Sequence, residues 1–179
     1  MQIIDVHAHV YPRAAGITRG RPMSSTRNGK AKIGNEEFQL LPPSFEQSAS
    51  TLETLIAHMD WCGIDKALLM PNPFYGYHND YLIEGVSRWP DRLKGVALVD
   101  LLQGEKAAEE LAALYESTPL FGFKVETNST FQCAPHKRMS DPEFAPVWDL
   151  LNQSHQTLFL HLFRACDVED LLRMAVQYP

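Results

Sequence analysis

The stretch Ile3-Ile4-Asp5-Val6-His7-Ala8-His9-Val10 decides the fold of this 179-residue chain. Its apolar residues predict a buried strand, and that strand ends in two histidines one residue apart. Because alternate side chains of a strand leave on the same face, His7 and His9 direct both imidazoles to one point. A first-row metal ion needs such convergence, so the stretch predicts a strand that ends in metal ligands. Two strand histidines on a solvated face are the alternative interpretation.

The composition is that of an ordinary soluble globular domain, with 45% apolar and 21% charged residues. No stretch approaches 18 uncharged apolar residues and no signal peptide is indicated, so we expect no membrane segment. The three cysteines, Cys62, Cys133 and Cys166, show no CxxC spacing. They argue against a disulfide framework and a thiolate zinc site, and they favour a reducing cytoplasm.

The charge of the chain is acidic overall but unevenly distributed. A formal net charge of -6 disfavours a nucleic-acid partner, whose phosphates need clustered Lys and Arg. A run of cations without acidic residues nevertheless lies in a predicted long loop at 10–49; its members are Arg13, Arg19, Arg21, Arg27, Lys30 and Lys32. This loop is either solvated and mobile or a lid whose cations attract a carboxylate-bearing substrate.

Beyond the loop, predicted strands and helices alternate five times. The predicted strands cover 3–10, 66–70, 94–99, 120–126 and 158–161, and the helices cover 51–63, 81–89, 105–116, 142–151 and 168–176. The last predicted helix carries an apolar stripe of Val168, Leu171, Leu172, Ala175 and Val176. This alternation predicts a parallel sheet with crossover helices.

Two parallel architectures fit this order, an open five-stranded sheet and a (β/α)8 TIM barrel. An open nucleotide-binding sheet usually carries a glycine-rich turn after its first strand, where this chain has His-Ala-His and a long loop. The barrel therefore fits the chemistry better. Since a barrel takes about 250 residues, we expect residues 1–179 to form the N-terminal part of a single α/β barrel, covering about its first five β/α units.

Active sites of such barrels lie at the carboxyl ends of the strands. His7 and His9 end the first predicted strand, Lys124 and Glu126 end the fourth, and His161 ends the fifth. The sequence therefore predicts a three-histidine metal set of His7, His9 and His161.

Four residues near these strand ends are predicted to bind substrate: Arg164, Lys124, Arg13 and Tyr11. Arg164 is the first choice for a substrate carboxylate, because a guanidinium matches that group in two parallel hydrogen bonds. The remaining histidines are interpreted as structural or solvated; they are His58, His78, His136 and His155.

Several motifs follow one another in a family-specific order. They are Ile4-Asp5-Val6-His7-Ala8-His9, Gly122-Phe123-Lys124, Ser140-Asp141-Pro142-Glu143-Phe144 before a Val147-Trp148 helix, and Leu160-His161. With these motifs the chain resembles the amidohydrolase superfamily, and more closely its branch related to aminocarboxymuconate semialdehyde decarboxylase.

The resemblance implies one metal ion, usually Zn2+, with Mn2+ or another divalent metal as alternatives. His7, His9 and His161 would hold it together with an aspartate from strand eight, and a strand-six histidine would act in catalysis. Both of these last residues would lie beyond residue 179, so the catalytic acid and base are unknown. The implied reaction is hydrolysis of a C–N or lactone bond, or a decarboxylation without redox chemistry, on a small carboxylate-bearing substrate. Whether the protein is a homo-oligomer stays open.

Alternative functions stay open at this point. In binuclear members of the superfamily a strand-four lysine is carbamylated, whereas in the branch resembled here the matching Lys124 is expected to bind substrate or to form a buried ion pair. Glu126 leaves room for a metal-dependent phosphoesterase on a similar barrel. A non-catalytic metal-binding relative is the third alternative.

Overall fold

The computed structural model describes residues 1–179 and divides them into two sheets and six α-helices. In chain order the elements are β1 (Ile4–Ala8), β2 (Ile17–Thr18), β3 (Arg21–Ser25), β4 (Lys30–Ile33), β5 (Glu36–Gln39), α1 (Leu52–Cys62), β6 (Lys66–Leu69), α2 (Asn79–Arg88), β7 (Leu93–Ala97), α3 (Glu105–Ser117), β8 (Phe121–Glu126), α4 (Thr127–Thr130), α5 (Ala145–Gln153), β9 (Leu158–His161) and α6 (Ala165–Gln177). None of these helices is both long and apolar enough to cross a membrane.

The main sheet has five parallel strands in the order β1-β6-β7-β8-β9. All five strands predicted from the sequence are present, with helices between them, but β1 is not the buried strand that was predicted, since Ile4 and Val6 are exposed. His7 on β1 contacts Lys124 on β8 across the two intervening strands, as in a sheet that curls toward a barrel. The predicted alternation of parallel strands and crossover helices is therefore confirmed.

Local signals explain where the first of these helices begins and ends. The Thr51 side chain accepts a hydrogen bond from the backbone N–H of Thr54 and so caps the N-terminus of α1. Gly63 ends the helix in the left-handed conformation, with φ of 69°, which glycine adopts without steric cost. Leu52 and Met59 are the buried residues of this helix and belong to the main core.

The prediction of a long loop at 10–49 is wrong, because this segment contains a second sheet. Strands β2 to β5 form an antiparallel four-stranded sheet, which we call the insertion sheet. It has a small core of its own, composed of Tyr11, Ala14, Met23, Ala31 and Ile33. Two of the loop's cations are neutralised within it, since Arg21 pairs with Glu36 and Lys30 pairs with Glu37. The insertion is thus a packed unit.

The apolar stripe of the last helix does not form the inward side of that helix. Helix α6 is present, but Val168, Leu172 and Val176 are exposed. Its inward side carries Asp167 and Asp170, whose side chains are fully buried. Arginines bind both carboxylates, and these ion pairs fix which side of the helix faces the protein.

Candidate active site

A cavity of about 320 Å³ lies inside the curled sheet. Residues of four parallel strands or of the turns that follow them line it: His7, Met70, Lys124, Phe159, Leu160 and His161. The cavity therefore brings together the predicted histidines of the first and fifth parallel strands. A larger apolar cavity of about 410 Å³ lies between β9, α5 and α6, away from these groups.

His7, within β1, and His9, just after it, pack edge to face, with ring centroids 4.8 Å apart. The Nδ1 atom of His9 lies 2.6 Å from the carbonyl oxygen of Met70. Because a carbonyl only accepts, Nδ1 carries the proton and Nε2 keeps its lone pair. Burial lowers the pKa of His9 to about 4. His9 is therefore neutral at neutral pH, which is the form that binds a metal.

Lys124 lies beside His7. Its Nζ atom is 3.4 Å from Nε2 of His7, and its residue is 2% exposed. Burial lowers the pKa of Lys124, and the nearby charge of Glu126 opposes that effect. No carboxylate forms an ion pair with this ammonium, so the ion-pair interpretation of Lys124 is wrong. Burial and the Lys124 and His161 charges lower the pKa of His7 as well.

His161 ends β9 and lines the same cavity. Its ring packs against Phe163, with centroids 4.4 Å apart, and the residue is exposed. No group of three His, Cys, Asp or Glu side chains is close enough together to hold a metal ion. His7 and His161 thus line one cavity, His9 packs against His7 beside it, and the three predicted ligands form no closed coordination shell.

Arg164, predicted to bind a substrate carboxylate, is already engaged within the protein. Its guanidinium forms two hydrogen bonds with Oδ1 of Asp167, at 2.9 and 2.6 Å. Its Nη1 donates to the carbonyl oxygens of Pro135 and Lys137, and the group lies over the ring of Phe131. With all its nitrogens occupied, Arg164 fixes the segment after α4 against α6.

The other two predicted substrate residues lie at the base of the insertion. Tyr11 is 1% exposed, stacks on Tyr75 at 4.3 Å, and its hydroxyl has no hydrogen-bond partner. Burial raises the pKa of Tyr11. Arg13 is exposed, and its carbonyl oxygen accepts a hydrogen bond from Nε2 of His78. His78 therefore links the insertion to the turn after β6, a role the sequence did not indicate.

The insertion sheet is attached to two loops at the carboxyl end of the main sheet. The backbone N–H of Ala15 donates to the carbonyl oxygen of Tyr75 after β6. The Gln132 side chain, in the loop after α4, accepts from the N–H of Arg19 and donates to the carbonyl oxygen of Ile17. The insertion therefore connects the ends of β1, β6 and β8 on the side where the cavity lies.

The sequence did not indicate three features of the site. These are the contacts of Asn72, the contacts of Tyr75 and the burial of Glu126. Asn72 lies three residues after the end of β6 and donates a hydrogen bond to Glu126, and the Tyr75 ring packs against His9 at 5.3 Å. The available signal was a polar residue between Pro71 and Pro73 at the end of a buried strand.

No protein-family profile matches the chain, and no curated protein matches it. Solved structures do match. A probable 2-pyrone-4,6-dicarboxylic acid hydrolase from Acinetobacter baumannii, with citric acid bound, is 21% identical with a TM-score of 0.66, over 99% of this chain and 55% of that one.

Two decarboxylases match over a smaller share. A 5-carboxyvanillate decarboxylase mutant from Novosphingobium aromaticivorans, with bound manganese and 3-methoxy-4-hydroxy-5-nitrobenzoic acid, is 22% identical with a TM-score of 0.51, over 70% of this chain and 39% of that one. A 2,6-dihydroxybenzoate decarboxylase from Rhizobium is 20% identical with a TM-score of 0.51, over 71% and 43%.

These comparisons confirm the fold. The chain has the architecture of part of a (β/α)8 barrel as found in amidohydrolases and related decarboxylases, and it spans about half the length of the hydrolase, 55%. At these identities the shared property is the fold. The choice between an open sheet and a barrel is thereby settled in favour of the barrel.

The residues of the cavity fit a divalent cation in their donor chemistry. His9, packed against His7 beside the cavity, is a neutral imidazole whose Nε2 lone pair is free, and His7 and His161 add imidazoles that line the cavity. The Nε2 lone pair of His7 faces the Lys124 ammonium instead. A metal ion at His7 would therefore require the ammonium to withdraw or the His7 ring to turn.

Proposed function

We propose that the protein is an amidohydrolase-type enzyme that hydrolyses or decarboxylates a small carboxylate-bearing substrate in the cavity between His7 and His161. The observation that carries the proposal is the buried ammonium of Lys124. It lines the cavity and has no carboxylate partner within the protein. A buried cation is costly unless it is paired, so an anionic group of the substrate is the natural partner.

The fold supports the same reaction class. The similar solved structures are a hydrolase and decarboxylases of aromatic acids, and the two ligands bound to them, citric acid and a nitrobenzoic acid, carry carboxyl groups. The cavity lies at the end of the sheet where barrel enzymes bind substrate. Its volume of about 320 Å³ suits a small molecule. Hydrolysis and decarboxylation are therefore the two reactions that we propose for this protein.

For the metal, we propose one divalent ion held by His7, His9 and His161, with zinc as the first choice and manganese as the second. Such an ion supplies a water of lowered pKa and polarises a substrate oxygen. The Met70 carbonyl orients His9 by accepting from Nδ1, so that Nε2 stays available. Lys124 binds the substrate carboxylate, and Arg13, exposed at the base of the insertion, attracts anions toward the entrance.

A substrate panel tests the proposal. The purified protein is incubated with 2-pyrone-4,6-dicarboxylate, 5-carboxyvanillate and 2,6-dihydroxybenzoate, both metal-free and with Zn2+ or Mn2+. Ring opening and CO2 release are followed separately. We expect turnover or saturable binding of at least one carboxylate compound, and loss of it in Lys124→Met. The proposal fails if none of the three is turned over or bound, or if the Lys124→Met variant behaves like the unsubstituted protein.

A further inference from the structure

Glu126, the last residue of β8, has an unusual environment for a carboxylate. The residue is 6% exposed and forms no ion pair. Its two oxygens each accept one hydrogen bond from a neutral donor, Oε2 from Nδ2 of Asn72 and Oε1 from Oγ of Ser129 at 3.0 Å. With both oxygens bound within the protein and no place in the cavity lining, Glu126 is not presented to a substrate.

Asn72 transmits this contact to the turn after β6. While its Nδ2 donates to Glu126, its Oδ1 accepts from the backbone N–H of Phe74 at 2.8 Å. Its carbonyl oxygen accepts from the N–H of Tyr75 at 3.0 Å, and the N–H of Gly76 also donates to it. One side chain thus fixes a tight turn from within. Glu126 determines the orientation of that side chain by holding its amide group.

The same turn holds His9 from two directions. Met70, the first residue of this 70–76 turn, accepts the hydrogen bond from Nδ1 of His9 at 2.6 Å. Tyr75, within it, packs its ring against the His9 ring with centroids 5.3 Å apart at 60°. On its far side Tyr75 stacks on Tyr11 at 4.3 Å. The tautomer and the ring orientation of His9 therefore both depend on where this turn lies.

We infer that Glu126 is a positioning residue for His9, acting through Asn72 and the 70–76 turn. This inference rests on the proposed function, because it takes His9 as a ligand of the proposed metal ion. Oriented partners of this kind fix the tautomer of a ligating histidine, and their loss typically lowers metal affinity by about 10- to 100-fold. In this chain His9 contacts the Met70 carbonyl directly, and Glu126 holds Asn72, two residues further along the same turn.

Histidine NMR of the metal-free protein tests the inference. Long-range 1H–15N spectra report which ring nitrogen of His9 carries the proton. We expect the Nδ1–H tautomer in the unsubstituted protein. In Glu126→Ala and in Asn72→Ala it should give way to a mixture with roughly half Nε2–H, since the carbonyl is no longer held in place. Glu126→Gln keeps an acceptor for Asn72 and should retain the original tautomer. Glu109→Ala, an exposed glutamate on α3, is the matched control.

Zn2+ titration of the same variants is the second measurement. Glu126→Ala and Asn72→Ala should each weaken Zn2+ binding about 10- to 100-fold. The double variant should lose no more Zn2+ affinity than the single variant with the larger loss, because both residues act through one chain of contacts. If Glu126→Ala fails to fold, Asn72→Ala carries the test alone, since it breaks the chain of contacts outside β8.

Two outcomes overturn the inference: an unchanged His9 tautomer in the folded alanine variants, or losses of Zn2+ affinity that add up in the double variant. If the unsubstituted protein binds no Zn2+, the metal part of the proposed function fails. The tautomer comparison in metal-free protein still decides the role of Glu126, so the two failures are distinguishable.

Discussion

The Nζ atom of Lys124 lies 3.4 Å from Nε2 of His7, and this contact joins the first and fourth strands of the parallel sheet. The ammonium occupies the direction in which the His7 lone pair would meet a metal ion. It is also the buried cation that would receive a substrate carboxylate. The same side chain therefore opposes a bound cation and favours a bound anion.

Replacing Lys124 should change the two affinities in opposite directions. In Lys124→Met we expect Zn2+ to bind about tenfold more tightly, because a buried like charge is removed, and citrate to bind about tenfold more weakly. Separate calorimetric titrations with Zn2+ and with citrate measure the two effects, since citrate itself chelates the metal. Lys106→Met, on the exposed side of α3, is the control. A parallel loss of both affinities would show that Lys124 only supports the fold.

Arg164 should contribute to stability and not to substrate binding. Its partner Asp167 is fully buried, so Arg164→Ala leaves a buried carboxylate without its cation. Because the Arg164 side chain is 26% exposed, we expect a loss of about 2 kcal/mol in the free energy of unfolding, below the usual range for a fully buried pair. Urea denaturation measures it. Unchanged stability combined with lost citrate binding would show that Arg164 binds substrate, as the sequence predicted.

The Arg138–Asp170 contact predicts how stability depends on pH. Burial alone would raise the pKa of Asp170, but hydrogen bonds from Arg138 and Ser140 outweigh it and lower the pKa below its usual value. A carboxyl whose pKa is lowered in the folded state stabilises the protein above its unfolded pKa of about 3.9. That contribution is lost as the pH falls from about 4 through the folded value.

We therefore expect the melting temperature to fall steeply with acidification below about pH 4, and less steeply in Asp170→Asn. Thermal unfolding followed by circular dichroism over this range is the measurement. Asp149→Asn, on an exposed position of α5, should keep the steep profile of the unsubstituted protein. An equally steep profile in Asp170→Asn would assign the acid sensitivity to other groups.

The insertion sheet should separate from the 70–76 turn when the close approach of Gly16 to the Phe74 backbone is blocked. A Cβ atom added at Gly16 would lie 2.0 Å from the carbonyl oxygen of Phe74, so alanine cannot be accommodated without movement of the backbone. In Gly16→Ala we expect trypsin to cleave the insertion at least about tenfold faster, because local opening controls proteolysis. Asn35→Ala, in an exposed turn of the same insertion, should be cleaved at the original rate. Equal rates for both variants would mean that other contacts hold the sheet.

The main sheet could be predicted from the sequence because its strands are short apolar runs separated by periodic helices. Strand β9 occupies the predicted residues 158–161, and His161 ends it as expected. The alternation also places His7, Lys124 and His161 at one end of the sheet, and the structure brings all three to one cavity. These features depend on local pattern, which a single sequence contains.

The insertion sheet was not predicted because its strands have two to five residues and carry mostly polar side chains. One signal was present: Asn28-Gly29 adopts positive φ angles of 55° and 73°, as a hairpin turn between β3 and β4 requires. The role of Arg164 depends on Asp167 turning inward, which tertiary packing decides. The link from Glu126 to Asn72 joins residues 54 positions apart, and no local pattern indicates it.

The zinc content of the purified protein tests whether His7 and His9 hold a metal ion. The purified protein and the His7→Ala/His9→Ala double variant are dialysed against Zn2+, freed of excess metal, and analysed by mass spectrometry for bound zinc. We predict about one equivalent in the unsubstituted protein and none in the folded double variant. Two equivalents with turnover of a phosphoester would favour the phosphoesterase alternative. Zinc-free protein after this treatment, or the same zinc content in both proteins, would contradict the proposal that these histidines hold a metal ion.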